Sequence, residues 1–202
     1  MKKIWLVRHA QSKAQTEEEF SLDSSLSSAG RGQAARLRGV FGGMSFDRAF
    51  ISPLKRARET FELAQINCAD IAFDSRLAEI VPGDGYDSIL PCGACPDYGK
   101  PDTWNAWSQP PQKRLASFLD DLSSLDCDKI LVVGHAMALS MLLNIFLRGR
   151  EYVNYEGLNS WGYCFMSNTA VSMISIDKEL RCGRLIFWNC CSHIEGWSPL
   201  TA

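Results

Sequence analysis

The apolar runs Ile4-Trp5-Leu6-Val7 and Ile130-Leu131-Val132-Val133 are short and show no polar alternation, the pattern of strands buried on both faces. Such strands belong in a largely parallel sheet with helices packed on either side. The rest of the chain supplies those helices in order. Lys3 to Val7 reads as the first strand, and Gly30 to Val40 as a helix whose apolar positions Ala34, Ala35, Leu37 and Val40 recur near helical spacing. Gly42-Gly43 ends that helix. Arg48 to Ile51 reads as a second strand and Pro53 to about Gln65 as a second helix, with Pro53 suited to its first turn. Ile71 to Phe73 is a third short strand. A helix from about Gln112 to Leu125, the strand Lys129 to Val133 and a helix from about Ala138 to Leu147 continue the alternation. Ala170 to Ile176 and Arg184 to Trp188 close it as a strand pair joined through Asp177-Lys178. The order predicts an α/β fold, a three-layer α/β/α sandwich around a mostly parallel central sheet.

One stretch breaks the pattern. From about residue 80 to 112 Pro, Gly, Asp, Tyr and Trp replace either hydrophobic period, which marks a surface insertion in one domain spanning 1–202. At 202 residues and 46% hydrophobic content, the chain can bury one sizeable core. A net charge of -2 and a pI near 5.9 exclude general attraction to nucleic acid or to an anionic membrane, so any anion site must be local. The apolar stretch after Met1-Lys2-Lys3 is too short for a signal-peptide core, and no run approaches the roughly 18 residues of a membrane span. Eight irregularly spaced cysteines in a chain of this size read as mostly reduced thiols. Together these features predict a soluble, cytoplasmic protein.

Right-handed crossovers gather strand-end residues along one edge of a parallel sheet, where ligands bind. Two of the three histidines stand at such ends, His9 after Arg8 and His135 after Gly134. Arg8, His9, Ser52, Arg56 and His135 can converge there. Arg56 falls in the first turn of its helix, where unsatisfied N–H groups and the positive dipole end also favour an anion.

Several segments carry a family resemblance. Leu6-Val7-Arg8-His9-Ala10-Gln11-Ser12 resembles L-V-R-H-G-E-S/T, the signature of the histidine phosphatase superfamily, the phosphoglycerate mutase-like proteins. Leu26, Gly30 and Gln33-Ala34 resemble its L-S/T-x-x-G-x-x-Q-A segment, and Ser52-Pro53-Leu54-Lys55-Arg56-Ala57-Arg58-Glu59-Thr60 its S-P-L-x-R-A-x-Q-T segment. Leu77-Ala78-Glu79 falls at its L-x-E. Val132-Val133-Gly134-His135 resembles the second histidine motif, and Asn168-Thr169-Ala170 and Asn189 to His193 the C-terminal N-A/T-x and N-x-x-x-H segments. Ala10 and Gln11 depart from the commoner Gly and Glu, Gln15 stands where many members have Asn, and a G-E-S segment before the helix near Gln112 is missing.

The resemblance implies branch 1 of that superfamily, a phosphoglycerate mutase-like fold and a metal-independent phosphomonoesterase of the histidine acid phosphatase type, with no cofactor and no metal. A phosphoryl group in transfer spreads charge over three oxygens and needs positive donors around it with a nucleophile in line. Arg8 and Arg56 suit this, because a guanidinium binds two oxygens at once. His9 is the expected nucleophile, attacking phosphorus as a neutral imidazole and forming a phosphohistidine. His135 is a charged donor to the phosphoryl oxygens, and the backbone N–H of Ala136 adds another. Glu79 is the proton donor to the leaving alkoxide and later the base for water, with Asp84 and Asp87 as substitutes. Ser12 and Gln15 either line the phosphate pocket as neutral donors or cap local backbone.

Other readings stay open. Cys92-Gly93-Ala94-Cys95 could be redox-active or half a zinc site, and His193 beside Cys190-Cys191 could suggest a metal, though the resemblance makes His193 structural. Tyr86, Tyr98, Trp104 and Trp107 could stack on a substrate or form a satellite core. Asp84, Asp87, Asp97 and Asp102 outnumber Lys100 in the insertion, favouring a simple phosphomonoester over a bisphosphate. The alternatives to hydrolysis are a mutase-type phosphoryl transferase and a silent phospho-ligand binding module. The expected partner is a small phosphorylated substrate or a phosphoprotein, with no nucleic acid or membrane, and monomer and homodimer both remain open.

Overall fold

The computed structural model describes residues 1–19, 21, 23–80, 111–149, 164–177 and 182–194. Its centre is one six-stranded sheet of β1 (Lys2–Arg8), β2 (Ser45–Ile51), β3 (Asn67–Phe73), β4 (Lys129–Gly134), β5 (Val171–Asp177) and β6 (Cys182–Cys190). The strand order is β3-β2-β4-β1-β5-β6. The four strands β3, β2, β4 and β1 run parallel, β5 is antiparallel to β1, and β6 is antiparallel to β5. This is the mostly parallel α/β sheet that the alternating pattern predicts.

Helices α1 (Ser28–Phe41) and α2 (Lys55–Ala64) cover one face, and α3 (Pro111–Ser124) and α4 (Ala136–Arg148) the other. The period-2 geometry of β1 divides its apolar run between two cores. Ile4 and Leu6 join Phe118, Leu122, Leu139 and Leu142, while Trp5 and Val7 join Leu37, Phe41 and Phe46. That explains why β1 and β4 are apolar without alternation. Removing a side chain such as Phe46 or Phe118 from water is worth about 2–3 kcal/mol.

On α1 the buried residues Gly30, Ala34, Leu37 and Phe41 make one stripe at helical spacing. The Ser27 hydroxyl caps its start by accepting from Gly30 N at 3.0 Å, and Gly43 at φ 77 follows its end. Lys2 is buried with its ammonium directed at the last carbonyls of α3, donating to Leu122, Ser123 and Leu125 at 2.5, 3.1 and 2.6 Å. It satisfies carbonyls that the helix itself leaves without partners.

Several boundaries differ from the sequence expectation. Pro53 is not in the first turn of α2, which begins at Lys55 after an extended Leu54. The turn instead receives an outside cap, because Asp23 Oδ1 accepts from Lys55 N at 2.7 Å. β3 begins at Asn67 rather than Ile71, because pairing with β2 extends back to Ser45↔Asn67 through polar residues that carry no apolar signal. As an edge strand, most of it is exposed. β6 is longer than Arg184 to Trp188 for the same reason. The insertion, from residue 81 to 110, and the link after Asp177 lie outside the described residues. Among those described, no helix is long and apolar enough to cross a membrane.

Gly30 marks a close approach between α1 and the segment after β1. A Cβ there would clash with the carbonyl oxygen of Gln11 and lie 2.9 Å from its carbon, whereas one at Gly32 would meet nothing within 4 Å. Gly30→Ala is expected to destabilise the protein by about 1–3 kcal/mol. Gly32→Ala is expected to stabilise it by about 0.5–1 kcal/mol, since alanine costs less in a helix. Urea unfolding midpoints of the two variants check both signs.

Candidate active site

Strand register brings the two imidazoles together. Arg8 on β1 pairs with Gly134 on β4, and His9 N donates to Gly134 O at 2.9 Å. The next residues on the two strands, His9 and His135, therefore leave the sheet side by side. Their ring centroids are 5.0 Å apart and their planes tilted by 56°. On the other side of β4, Ile51 pairs with Val133 and Ser52 N donates to Val133 O at 2.9 Å. This places the Ser52 hydroxyl 2.7 Å from His135 Nε2.

The chemistry of Arg56 fixes the tautomer of His9. An arginine only donates, and Arg56 Nε lies 3.3 Å from His9 Nε2, so Nε2 carries the lone pair. The proton is on Nδ1, which lies 2.6 Å from the carbonyl oxygen of Ala10. His9 is only 3% exposed. Burial first, then the cationic Arg56 and Arg8, push its pKa well below the usual histidine value, so the imidazole is neutral.

His135 is fully buried, and burial together with Arg56, His9, Arg8 and Arg114 likewise pushes its pKa well down. Its Nδ1 has no hydrogen-bond partner among the described residues. Ser52 thus occupies Nε2 and leaves Nδ1 as the uncommitted ring nitrogen. Arg8 is anchored from the opposite side, with one terminal nitrogen donating to Met166 O at 2.5 Å. Arg56 is buried, and desolvation pulls its pKa down against the opposing pull of Glu79 and Asp23.

Glu79 occupies the neighbouring wall. Its Oε1 accepts from Ile80 N at 2.9 Å and from Ala138 N, in the first turn of α4, at 3.2 Å. These contacts and the charges of Arg56 and Arg8 favour the carboxylate, yet burial outweighs them and raises its pKa. A carboxyl held protonated above its usual range beside two arginines and two neutral imidazoles is equipped to donate a proton.

Ala136 opens α4 directly after His135. Ser12 is buried and Gln15 exposed, and they engage each other: Gln15 Oε1 accepts from Ser12 N at 3.0 Å and from the Ser12 hydroxyl at 3.4 Å. Gln15 and Asn168 exchange amide hydrogen bonds at 3.2 Å, and Asn168 Nδ2 donates to His9 O at 3.0 Å. His193 Nε2 lies 3.1 Å from the Thr169 hydroxyl, and Thr169 N reaches the carbonyls of Arg8 and His9 at 3.1 and 3.3 Å. Among the described residues no three His, Cys, Asp or Glu side chains gather as a metal site. Asp84, Asp87, Cys92, Cys95 and the aromatic residues of the insertion lie outside the described residues.

Arg114 is a participant the sequence reading did not single out. It is 4% exposed, and burial lowers its pKa to about 10. It donates to the carbonyls of Arg76 at 2.6 Å and of Ser75 and Glu79 at 3.4 Å, so it holds the segment that carries Glu79. The available signal was a cation four residues before Phe118, on the buried stripe of an amphipathic helix.

A model of the histidine phosphatase superfamily (branch 1) matches residues 4–190. Over 200 residues the chain is 27% identical to "Putative phosphoserine phosphatase 2" of Hydrogenobacter thermophilus, covering 89% of this chain and 92% of that protein. The alpha-ribazole phosphatase of Shigella flexneri superposes with a TM-score of 0.66 at 22% identity, over 93% of this chain and 96% of that one. A phosphoserine phosphatase of Entamoeba histolytica, solved with 3-phosphoglyceric acid, superposes with a TM-score of 0.62 at 19% identity, over 96% and 99%. These structures share the phosphoglycerate mutase-like fold.

The lowered pKa values have a consequence for stability. Above pH 6.5 His9 and His135 are neutral in both folded and unfolded chains, and the stability due to them is fully present. Below it the unfolded chain binds protons that the folded site refuses. Stability is then lost, by up to about 1.4 kcal/mol per pH unit for each residue, until the folded pKa is reached. Urea unfolding between pH 7 and 5.5 should show this fall, and His135→Gln should make it shallower. An unchanged slope in the variant would contradict the neutral, buried imidazole.

Proposed function

Because the chain belongs to the histidine phosphatase superfamily, branch 1, we propose that it is a metal-independent phosphomonoesterase of the histidine acid phosphatase type, acting through a phosphohistidine on His9. One observation carries this reading: Nδ1 of His9 is tied to the Ala10 carbonyl, so the lone pair of Nε2 faces the Arg56 guanidinium beside a second imidazole. A tetrahedral dianion between these groups would meet Arg8, Arg56 and His135 around its oxygens. The family match, and the phosphatases among the similar proteins, support the same chemistry.

In the first step the Nε2 lone pair attacks phosphorus, the bond from phosphorus to the ester oxygen breaks, and Glu79 gives its proton to the departing alkoxide. In the second, water gives a proton to Glu79 and attacks phosphorus, and the N–P electron pair returns to His9. Arg8 and Arg56 bind the phosphoryl oxygens throughout, and Ala136 N–H at the start of α4 adds a donor. His135 donates through Nδ1, and the dianion beside it opposes the lowering of its pKa and favours the imidazolium. Ser12 and Gln15 act by bracing the loop after β1 and the Asn168 turn, a role their hydrogen bonds support better than direct phosphate contact.

The substrate is a small phosphomonoester, a phosphoprotein being the wider alternative. Phosphoserine and ribazole phosphate, named for the similar proteins, are the first compounds to assay. The family match over most of the chain supports one domain, and free thiols at Cys68, Cys127, Cys164, Cys182, Cys190 and Cys191 support a reducing, cytoplasmic setting.

Turnover should persist in excess chelator. His9→Ala should lose about 10³-fold or more of kcat, since the variant lacks the imidazole that attacks phosphorus. Brief reaction with ³²P-labelled substrate should leave acid-labile, base-stable label on the wild type and none on His9→Ala; a fully active variant would refute the nucleophile. Phosphoryl exchange without phosphate release would redirect the reading to a mutase. Because Glu79 keeps its proton above the usual carboxylate range, kcat for alkyl phosphates should be highest at mildly acid pH. It should fall as pH rises through the Glu79 pKa. Glu79→Gln should remove that alkaline limb and lower the maximum, and a pH–rate series compares the two.

A further inference from the structure

The hydroxyl of Thr60 lies between the two halves of the site, although nothing in the proposed reaction uses it. Thr60 is on α2, one turn after Arg56, and is fully buried. Its Oγ1 donates to the Arg56 carbonyl at 2.6 Å and accepts from Ala10 N at 3.0 Å. Ala10 is itself fully buried, and its carbonyl is the one that holds the Nδ1 proton of His9. One hydroxyl thus ties the backbone of the guanidinium residue to the residue that sets the nucleophile's tautomer. The side chains of Arg56 and of His9, the residue before Ala10, meet at 3.3 Å between Nε and Nε2.

We infer that Thr60 is a positioning residue for phosphoryl transfer, which sets the Nε2 of His9 against the Arg56 guanidinium through Ala10. This inference rests on the reading of His9 as nucleophile. The bonds at Thr60 are local on one side and long-range on the other. The bond to Arg56 is the turn-back common for threonine in a helix, whereas the bond from Ala10 crosses fifty positions of sequence. Without the hydroxyl the Ala10 N–H is buried and unsatisfied, and relieving it requires the His9 loop to shift relative to α2. A displacement of about 1 Å in an in-line attack costs about 10²-fold in rate. The loss should fall on the step that forms the N–P bond, and binding of the phosphate group should change little.

The test compares Thr60→Val, which keeps the shape without the hydroxyl, with Thr60→Ser and Thr60→Ala, which share the lost methyl and differ only in the hydroxyl. Circular dichroism first establishes that each is folded at 25 °C. Thr60→Val and Thr60→Ala should lose at least about tenfold in kcat and in the single-turnover rate of phosphohistidine formation, with KM within about threefold of wild type. Thr60→Ser should keep kcat within about threefold while showing the lower melting temperature of a missing methyl. ¹⁵N spectra of the His9 ring should show Nδ1–H in the serine variant and a mixed tautomer in the valine variant. Wild-type kcat in a folded Thr60→Val, or equal losses in the Ser and Ala variants, would overturn the inference. So would failure of both hydroxyl-free variants to fold, which makes the residue structural. A wild type that forms no acid-labile label defeats the His9 reading itself. Label forming at the wild-type rate in Thr60→Val defeats this inference alone.

Discussion

The register of β1 against β4 is the constraint on which everything else in the site depends. Arg8 opposite Gly134, extended by the bond from His9 N to Gly134 O, sets two imidazoles beside each other without using either side chain. A slip of one residue would reverse the facing of every side chain on β1 and exchange its two cores. The register is therefore enforced by Ile4 and Leu6 on one side and Trp5 and Val7 on the other. The hydrophobic patterning that makes the sheet also aligns the two imidazoles. The turn after Ser167 adds a brace, since Thr169 adopts φ 56, costly for a β-branched residue, and reaches the carbonyls of Arg8 and His9.

Burial beside two guanidiniums makes a charged histidine electrostatically unfavourable here. Arg56 and the two histidines are buried next to Arg8, so a charge on either ring would add to that of the guanidiniums. The histidines respond by staying neutral, the economical answer to burial beside cations. Neutrality is what a nucleophile requires, so the field that destabilises a histidinium also keeps the Nε2 lone pair available. In the proposed reaction a phosphoryl dianion would reverse that balance at His135.

The sequence showed the frame of this more readily than its supports. Buried strands are legible because both faces demand apolar residues, and strand-end His9 and His135 are legible because parallel topology gathers strand ends. Arg8 and Arg56 join them in the structure, as the order of elements and the family motifs predict. The full length of edge strand β3 is not legible in the sequence, because Asn67 to Asp70 are held by backbone pairing, which leaves no composition signal. Arg114 was overlooked because its partners are carbonyls, which no side-chain pattern reveals. Asp23 likewise acts at a distance, capping α2 from a segment thirty-two positions away.

The cap at Glu79 would let a single carboxyl serve as both scaffold and acid in the proposed reaction. Its Oε1 accepts two backbone N–H groups, one of them in the first turn of α4, and that contact would ordinarily favour the anion. Burial outweighs the caps and the nearby guanidiniums, and the net shift is upward. With Oε1 committed to two donors, the proton belongs on Oε2, so the group is oriented before it reacts. In the proposed reaction the same bonds would stabilise the carboxylate after its proton passes to the alkoxide, until it accepts another from water. The start of α4 thereby links Glu79 to His135, which directly precedes that helix.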